Sequence, residues 1–125
     1  MDYHGIIINL SLKHQSTIHS LDVIGQKNVF LNWLVLLKVC VHPQELETII
    51  KTLQVNMVER FGFYVPHFYC HFYREDELII VFKDRVFLVK TDPSTWHEVL
   101  SYGRSLGIPV NQLDFAPYRL EDETY

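Results

Sequence analysis

Residues 66–90 read PHFYCHFYREDELIIVFKDRVFLVK, and the fold is decided there. Three runs, 67–73, 77–82 and 85–90, are dense in aromatic and β-branched residues. Those side chains suit a pleated, half-buried surface, so each run is predicted to be a strand. Polar breaks at residues 74–77 and at Lys83-Asp84 separate them. Neither break contains glycine, so the sequence specifies two hairpins without specifying their turn types.

Side chains alternate between the faces of a strand. With Lys83-Asp84 as a two-residue loop, Phe82 faces Arg85, Ile80 faces Phe87 and Leu78 faces Val89. With Tyr73 opposite Leu78, His71 faces Ile80 and Tyr69 faces Phe82. One face then collects Phe68, Cys70, Phe72, Ile79, Val81, Val86 and Leu88, a plain core face. The other collects His67, Tyr69, His71, Tyr73, Leu78, Ile80, Phe82, Phe87 and Val89, with Arg85 at one end. This second face mixes apolar bulk with rings that carry a polar tip, a chemistry suited to surfaces that are dry at one end and hydrogen-bonded at the other. An apolar patch of that extent is not normally left open to water. Tyr69, His71, Tyr73, Phe82, Arg85 and Phe87 are therefore the candidate ligand or interface residues.

The whole chain has 125 residues, 48% of them hydrophobic and 21% charged. This length suits a single domain spanning 1–125, and the composition excludes global disorder. A net charge of −4 without a Lys/Arg cluster argues against nucleic acid as a partner. The start, MDYHGIIINL, lacks the basic region of a signal peptide. The longest apolar run, 29–41, is interrupted by Asn32 and Lys38. It falls short of the ~20 apolar residues a membrane span requires. A cytoplasmic location with no membrane partner is the expectation. Cys40 and Cys70, each inside an apolar run, are expected to be free, buried thiols.

Around the meander the other elements fall into place. Residues 5–12 alternate as a half-buried strand with Ile6, Ile8, Leu10 and Leu12 on one side. Ser16 is expected to cap a short helix through Ile24, followed by a loop over 26–32. The apolar run 33–41 reads as an interior strand. Pro43 opens a helix whose stripe is Leu46, Ile49, Ile50, Leu53, Met57 and Phe61, with Glu47 and Lys51 paired on the outer side and Gly62 as its stop. Asp92-Pro93 starts a second helix with Trp96, Val99, Leu100 and Gly103 on one face. Gly103 is expected to allow close packing on the sheet, and Gly107 and Pro109 end the helix. Residues 111–120 predict a turn and a last edge strand. The acidic end, 121–125, predicts a short mobile tail. The whole implies an α+β, ferredoxin-like sandwich: a mostly antiparallel sheet with its two main helices on one face.

The residues offer little recognisable chemistry. His67 and His71 on one strand lie roughly 13 Å apart, too far to share a metal ion. Tyr69, His71 and Tyr73 are neighbours at roughly 7 Å, a spacing for lining a pocket rather than relaying a proton. There is no glycine-flanked nucleophile and no glycine-rich phosphate loop. No metal or cofactor is expected. With both helices on one face, the aromatic face needs a cover, and a second copy of the chain is the simplest one. The expectation is a noncatalytic module forming a homodimer through that face. The alternative is a small-ligand-binding protein or enzyme whose pocket is lined by the Tyr, His and Arg residues of the same face.

Overall fold

The computed structural model describes residues 1–29, 34–58 and 67–125. Six strands form one sheet: β1 (Tyr3–Ile8), β2 (Asp22–Val29), β3 (Leu34–Val41), β4 (Tyr69–Arg74), β5 (Glu77–Phe82) and β6 (Val86–Lys90). Their spatial order is β2-β3-β1-β4-β5-β6, and every pairing is antiparallel. Two helices accompany it, α1 (Leu46–Asn56) and α2 (His97–Ser105). The fold is α+β, but its six strands do not follow the βαββαβ order of a ferredoxin-like sandwich. Both β3 and β4 run antiparallel to β1 and so parallel to each other. The connection through α1 thus joins two parallel strands with β1 between them.

The meander has the register that side-chain alternation implies. Tyr69, His71 and Tyr73 lie opposite Phe82, Ile80 and Leu78. Ile80 and Leu78 in turn lie opposite Phe87 and Val89. Lys83-Asp84 is the expected two-residue loop, closed by the Phe82 amide donating to the Arg85 carbonyl at 2.8 Å. At the other turn, Arg74 pairs with Glu77. Glu75 there adopts a left-handed backbone with φ 52°.

The helices do not share a face. Leu46, Ile49, Ile50 and Leu53 of α1 join Ile7, Val39, Cys70, Phe72, Ile79 and Val81 in one core. Val99 and Leu100 of α2 join Ile6, Tyr73, Leu78, Ile80, Phe82 and Phe87 in the other. The sheet is therefore covered on both sides by its own chain. The physical reason lies in the meander itself. Two apolar faces each require a cover, and one helix on each side removes more apolar surface from water than two on one side. Lys83 ties the first layer to the meander by donating to the last-turn carbonyls of Gln54 at 3.1 Å and Met57 at 2.8 Å. A cation belongs at that helix end because the final carbonyls lack intrahelical partners.

Several local expectations are corrected. β1 ends at Ile8, and a 3₁₀ turn over Asn9–Ser11 follows. That turn swings Leu12 into the α1-side core, away from Ile6. The expected helix over 16–24 is a 3₁₀ segment, Gln15–Ser20, leading into β2. Val23 and Ile24, β-branched and stiff at χ1, belong to the strand. Part of the expected 26–32 loop is likewise strand. Trp33, Phe61 and Gly62 lie outside the described residues, but α1 ends earlier than expected, at Asn56, and Met57, expected in its stripe, is extended and bridges Leu12. Pro43 begins a 3₁₀ turn that leads into α1, and Glu47 pairs with Lys51 at 3.1 Å on the exposed side. Asp92 caps a 3₁₀ turn, Pro93–Thr95, its Oδ1 accepting from the Ser94 amide at 3.0 Å; α2 itself begins later than expected, at His97, without a side-chain cap. Residues 111–120 make no edge strand; they cross the face of the sheet.

Candidate functional site

The aromatic face is built from β1, β3, β4, β5 and β6, with α2 over one half of it. Its other half is crossed by residues 108–125, a segment with only two short 3₁₀ turns, Val110–Gln112 and Leu120–Asp122. The segment leaves α2 through Gly107, whose φ of 88° a side chain would resist. Leu113, Phe115 and Pro117 are buried, while Asp114 and Ala116 are exposed. That alternation is the sequence signal behind the expected edge strand. It marks an extended chain with one side inward, but the partner of that side is the aromatic face.

Each candidate residue contacts this cover or its neighbours. The Tyr69 hydroxyl donates its one proton toward the Gln112 carbonyl at 2.7 Å, with the Asp114 carbonyl also within reach at 3.0 Å. Its ring packs edge-on against Phe115 at 5.5 Å. Phe82, fully buried, meets Tyr102 of α2 at 4.9 Å and Phe87 at 5.9 Å. His71 is enclosed, and its Nε2 donates to the Pro117 carbonyl at 2.8 Å. A carbonyl only accepts, so this bond places the proton of the neutral ring on Nε2. Burial pushes the His71 pKa down to about 4, despite the Pro117 carbonyl and the Asp114 charge, which favour the protonated form.

Tyr73 belongs to a polar cluster that sequence reasoning missed. Its hydroxyl donates to Glu123 Oε1 at 2.5 Å. His4 Nδ1 reaches the same oxygen at 2.5 Å, and Lys38 Nζ donates to Glu123 Oε2 at 3.0 Å. The donors come from β1, β3 and β4, three adjacent strands. Burial alone raises the Glu123 pKa, but the hydrogen bonds from Tyr73, His4 and Lys38 outweigh it and hold the carboxyl below its ordinary value. The Tyr73 phenol is pushed up, first by burial and then by the Glu123 carboxylate. With its carboxylate held ionised and the neighbouring phenol held protonated, the cluster clamps the Glu123 side chain to the sheet. The signal for it was Lys38, a charge inside an otherwise apolar interior strand. The residue is only 7% exposed, and a buried charge implies an opposite partner.

The acidic end expected to be mobile and solvated is thus laid down on the sheet. Tyr125 completes it, its ring 5.3 Å from Lys38 Nζ and its last backbone atoms against Gly25 of β2. Gly103 is used as expected for close approach, but to this segment rather than to the sheet. A Cβ there would stand 2.6 Å from Leu113 Cδ2.

Arg85 stands apart from the other candidates. Its guanidinium stacks on Phe87 at 4.4 Å and on Tyr102 at 5.4 Å. It lines a shallow hollow of about 400 Å³ with His97, Ser101 and Tyr102. None of Tyr69, His71 or Tyr73 lines that hollow, so the structure does not bring the expected Tyr/His/Arg set into one pocket.

Cys40 and Cys70 are both free. Cys70 is buried in the α1-side core, and burial pushes its pKa up to about 12. Cys40 is only partly buried. It lies opposite His4 in register, beside the strand position that faces Tyr73, and so on the other face from Cys70.

Among the described residues, no group of three or more His, Cys, Asp or Glu side chains is arranged to hold a metal ion. No helix there is long and apolar enough to cross a membrane. No family model, curated protein or solved structure matches this chain, so its function rests on the geometry above.

Proposed function

We propose that this chain is a noncatalytic, self-associating α+β module whose contact lies at the β2 edge of the sheet. The observation that carries the reading is β2 itself, an outermost strand of eight largely exposed residues with a register irregularity between Val23 and Gly25. At the other edge, β6 is a shorter strand of five residues; Leu88 there is 78% exposed, against the core position its alternation implies, and the outward backbone groups of Lys90 are taken up within the chain. Its amide donates to Thr95 Oγ1 at 3.1 Å, and its carbonyl accepts from Trp96 Nε1 at 2.7 Å. At β2, Val23 and Ile24 are 38% and 45% exposed on the outermost strand. An edge strand offers a row of backbone donors and acceptors to another strand, and twofold pairs are the commonest soluble oligomers. The aromatic face, by contrast, is occupied by α2 and residues 108–125, which removes the reason to place a second copy there.

The test is light scattering across the micromolar range on wild type and on Ile24→Lys. A wild-type dimer that the variant converts to a folded monomer supports the reading. A wild type that stays monomeric up to high micromolar concentration overturns it.

A further inference from the structure

His4, Lys38 and Tyr73 project from adjacent strands onto one patch of the aromatic face. His4 lies opposite Tyr73 in register, and Lys38 lies opposite Ile6, two residues along the same strand. The sheet fixes all three donors. The acceptor they share, Glu123, comes from an extended segment held by side-chain contacts and outside every strand and α-helix. The strand pairing sets which three side chains share this patch, independently of the segment that carries Glu123. Together they supply an ammonium, an imidazole and a phenol, a set complementary to one carboxylate.

Two further observations extend the patch. The Tyr125 ring, two residues after Glu123, lies over Lys38 Nζ at 5.3 Å and near Lys27 Nζ at 5.9 Å. The Tyr125 hydroxyl is buried and has no hydrogen-bond partner among the described residues. The patch thus accepts a glutamate followed two residues later by an aromatic ring, and the seat of that ring leaves one buried polar atom unsatisfied. Buried polar atoms in a dedicated structural contact are ordinarily paired.

We infer that the His4–Lys38–Tyr73 patch is a binding site for acidic peptide segments of the form Glu-x-aromatic, occupied in this structure by the chain's own residues 119–125. The bound segment is an internal ligand, and a peptide of the same chemistry competes for its place. The lysines at the patch, Lys27 and Lys38, give it the charge to draw such a segment in.

The experiment uses the full-length Glu123→Ala chain, which removes the internal carboxylate and leaves the three donors. The probes are the heptapeptide Arg-Leu-Glu-Asp-Glu-Thr-Tyr, the same peptide with Gln at its fifth position, and potassium acetate against potassium chloride at equal ionic strength. The expected calorimetric result is at least tenfold tighter binding of the glutamate peptide than of the glutamine peptide by the variant. Wild type, with its site filled, binds the glutamate peptide at least tenfold more weakly than the variant does. Acetate raises the melting temperature of the variant above that in chloride and leaves wild type unchanged. Equal affinity for the two peptides, no binding by the variant, or an equal acetate effect on both proteins overturns the inference. Should Glu123→Ala not fold, Glu123→Gln is compared with the same probes. Failure of both variants to fold makes the carboxylate a fixed structural bond and also overturns it.

Discussion

His71 shows at the scale of one residue how burial turns a titratable side chain into a pH-dependent part of the core. Its ring is enclosed and neutral, with Nε2 bonded to the Pro117 carbonyl. Its pKa in the fold is lowered to about 4 from 6.5. Between those values the unfolded chain binds a proton that the folded chain refuses. The His71 contribution is thus fully present above pH 6.5 and is lost as pH falls toward 4. A displacement of that size corresponds to roughly 3 kcal/mol of pH-dependent stability. Urea unfolding of wild type and His71→Phe at pH 7 and pH 4.5 checks this, since the other histidines are common to both. Wild type should lose more stability over the interval than the variant. Equal losses would show that His71 is hydrated or already protonated in the fold.

At the scale of elements, α2 and the segment that follows it form a single packed unit, and Gly103 is the contact between them. Alanine there would gain about 1 kcal/mol of helix propensity. Its Cβ, however, would stand 2.6 and 2.9 Å from the two terminal carbons of Leu113. Leu113 is buried in the core, so its side chain has little room to yield. Overpacking of this kind costs about 1–3 kcal/mol. Gly103→Ala should therefore lower the midpoint of urea unfolding. A raised midpoint would mean that Leu113 moves aside freely and that the segment is loosely laid. On the opposite layer, Leu53 is fully buried beneath the outward pair Glu47 and Lys51, as the helical stripe requires.

For the whole molecule, the placement of one helix on each face puts the aromatic residues between layers of the same chain. A face covered by a second copy would tolerate a charge by giving a folded monomer. A face covered by its own chain would not. Phe82 has no exposed surface and lies against Tyr69, Phe87 and Tyr102. An unpaired carboxylate at that position costs several kcal/mol, comparable with the ~5–15 kcal/mol that holds a domain together. Phe82→Glu should abolish the cooperative thermal transition and the near-ultraviolet circular dichroism of the packed rings. A folded variant melting near wild type would return the aromatic face to the surface.

The strands of the meander, their register and their two-residue Lys83-Asp84 turn were legible in the sequence because each depends on contacts within residues 67–90. Alternation fixes which side chain faces which, and a one-residue slip would reverse both faces. The α1 stripe and the Asp92 cap were legible for the same reason, being set by neighbours one to four residues away. Which layer covers which face was not legible, because both faces are apolar and either helix could satisfy either one. The strand Asp22–Val29 was also hidden: it lies at the edge and is largely exposed, so it carries no clean alternation of apolar and polar residues. The Glu123 clamp was the least visible feature. Its donors at positions 4, 38 and 73 meet only after β1 is inserted between β3 and β4. Tertiary structure alone decided it, since no local pattern ties those residues to a glutamate at the far end of the sequence.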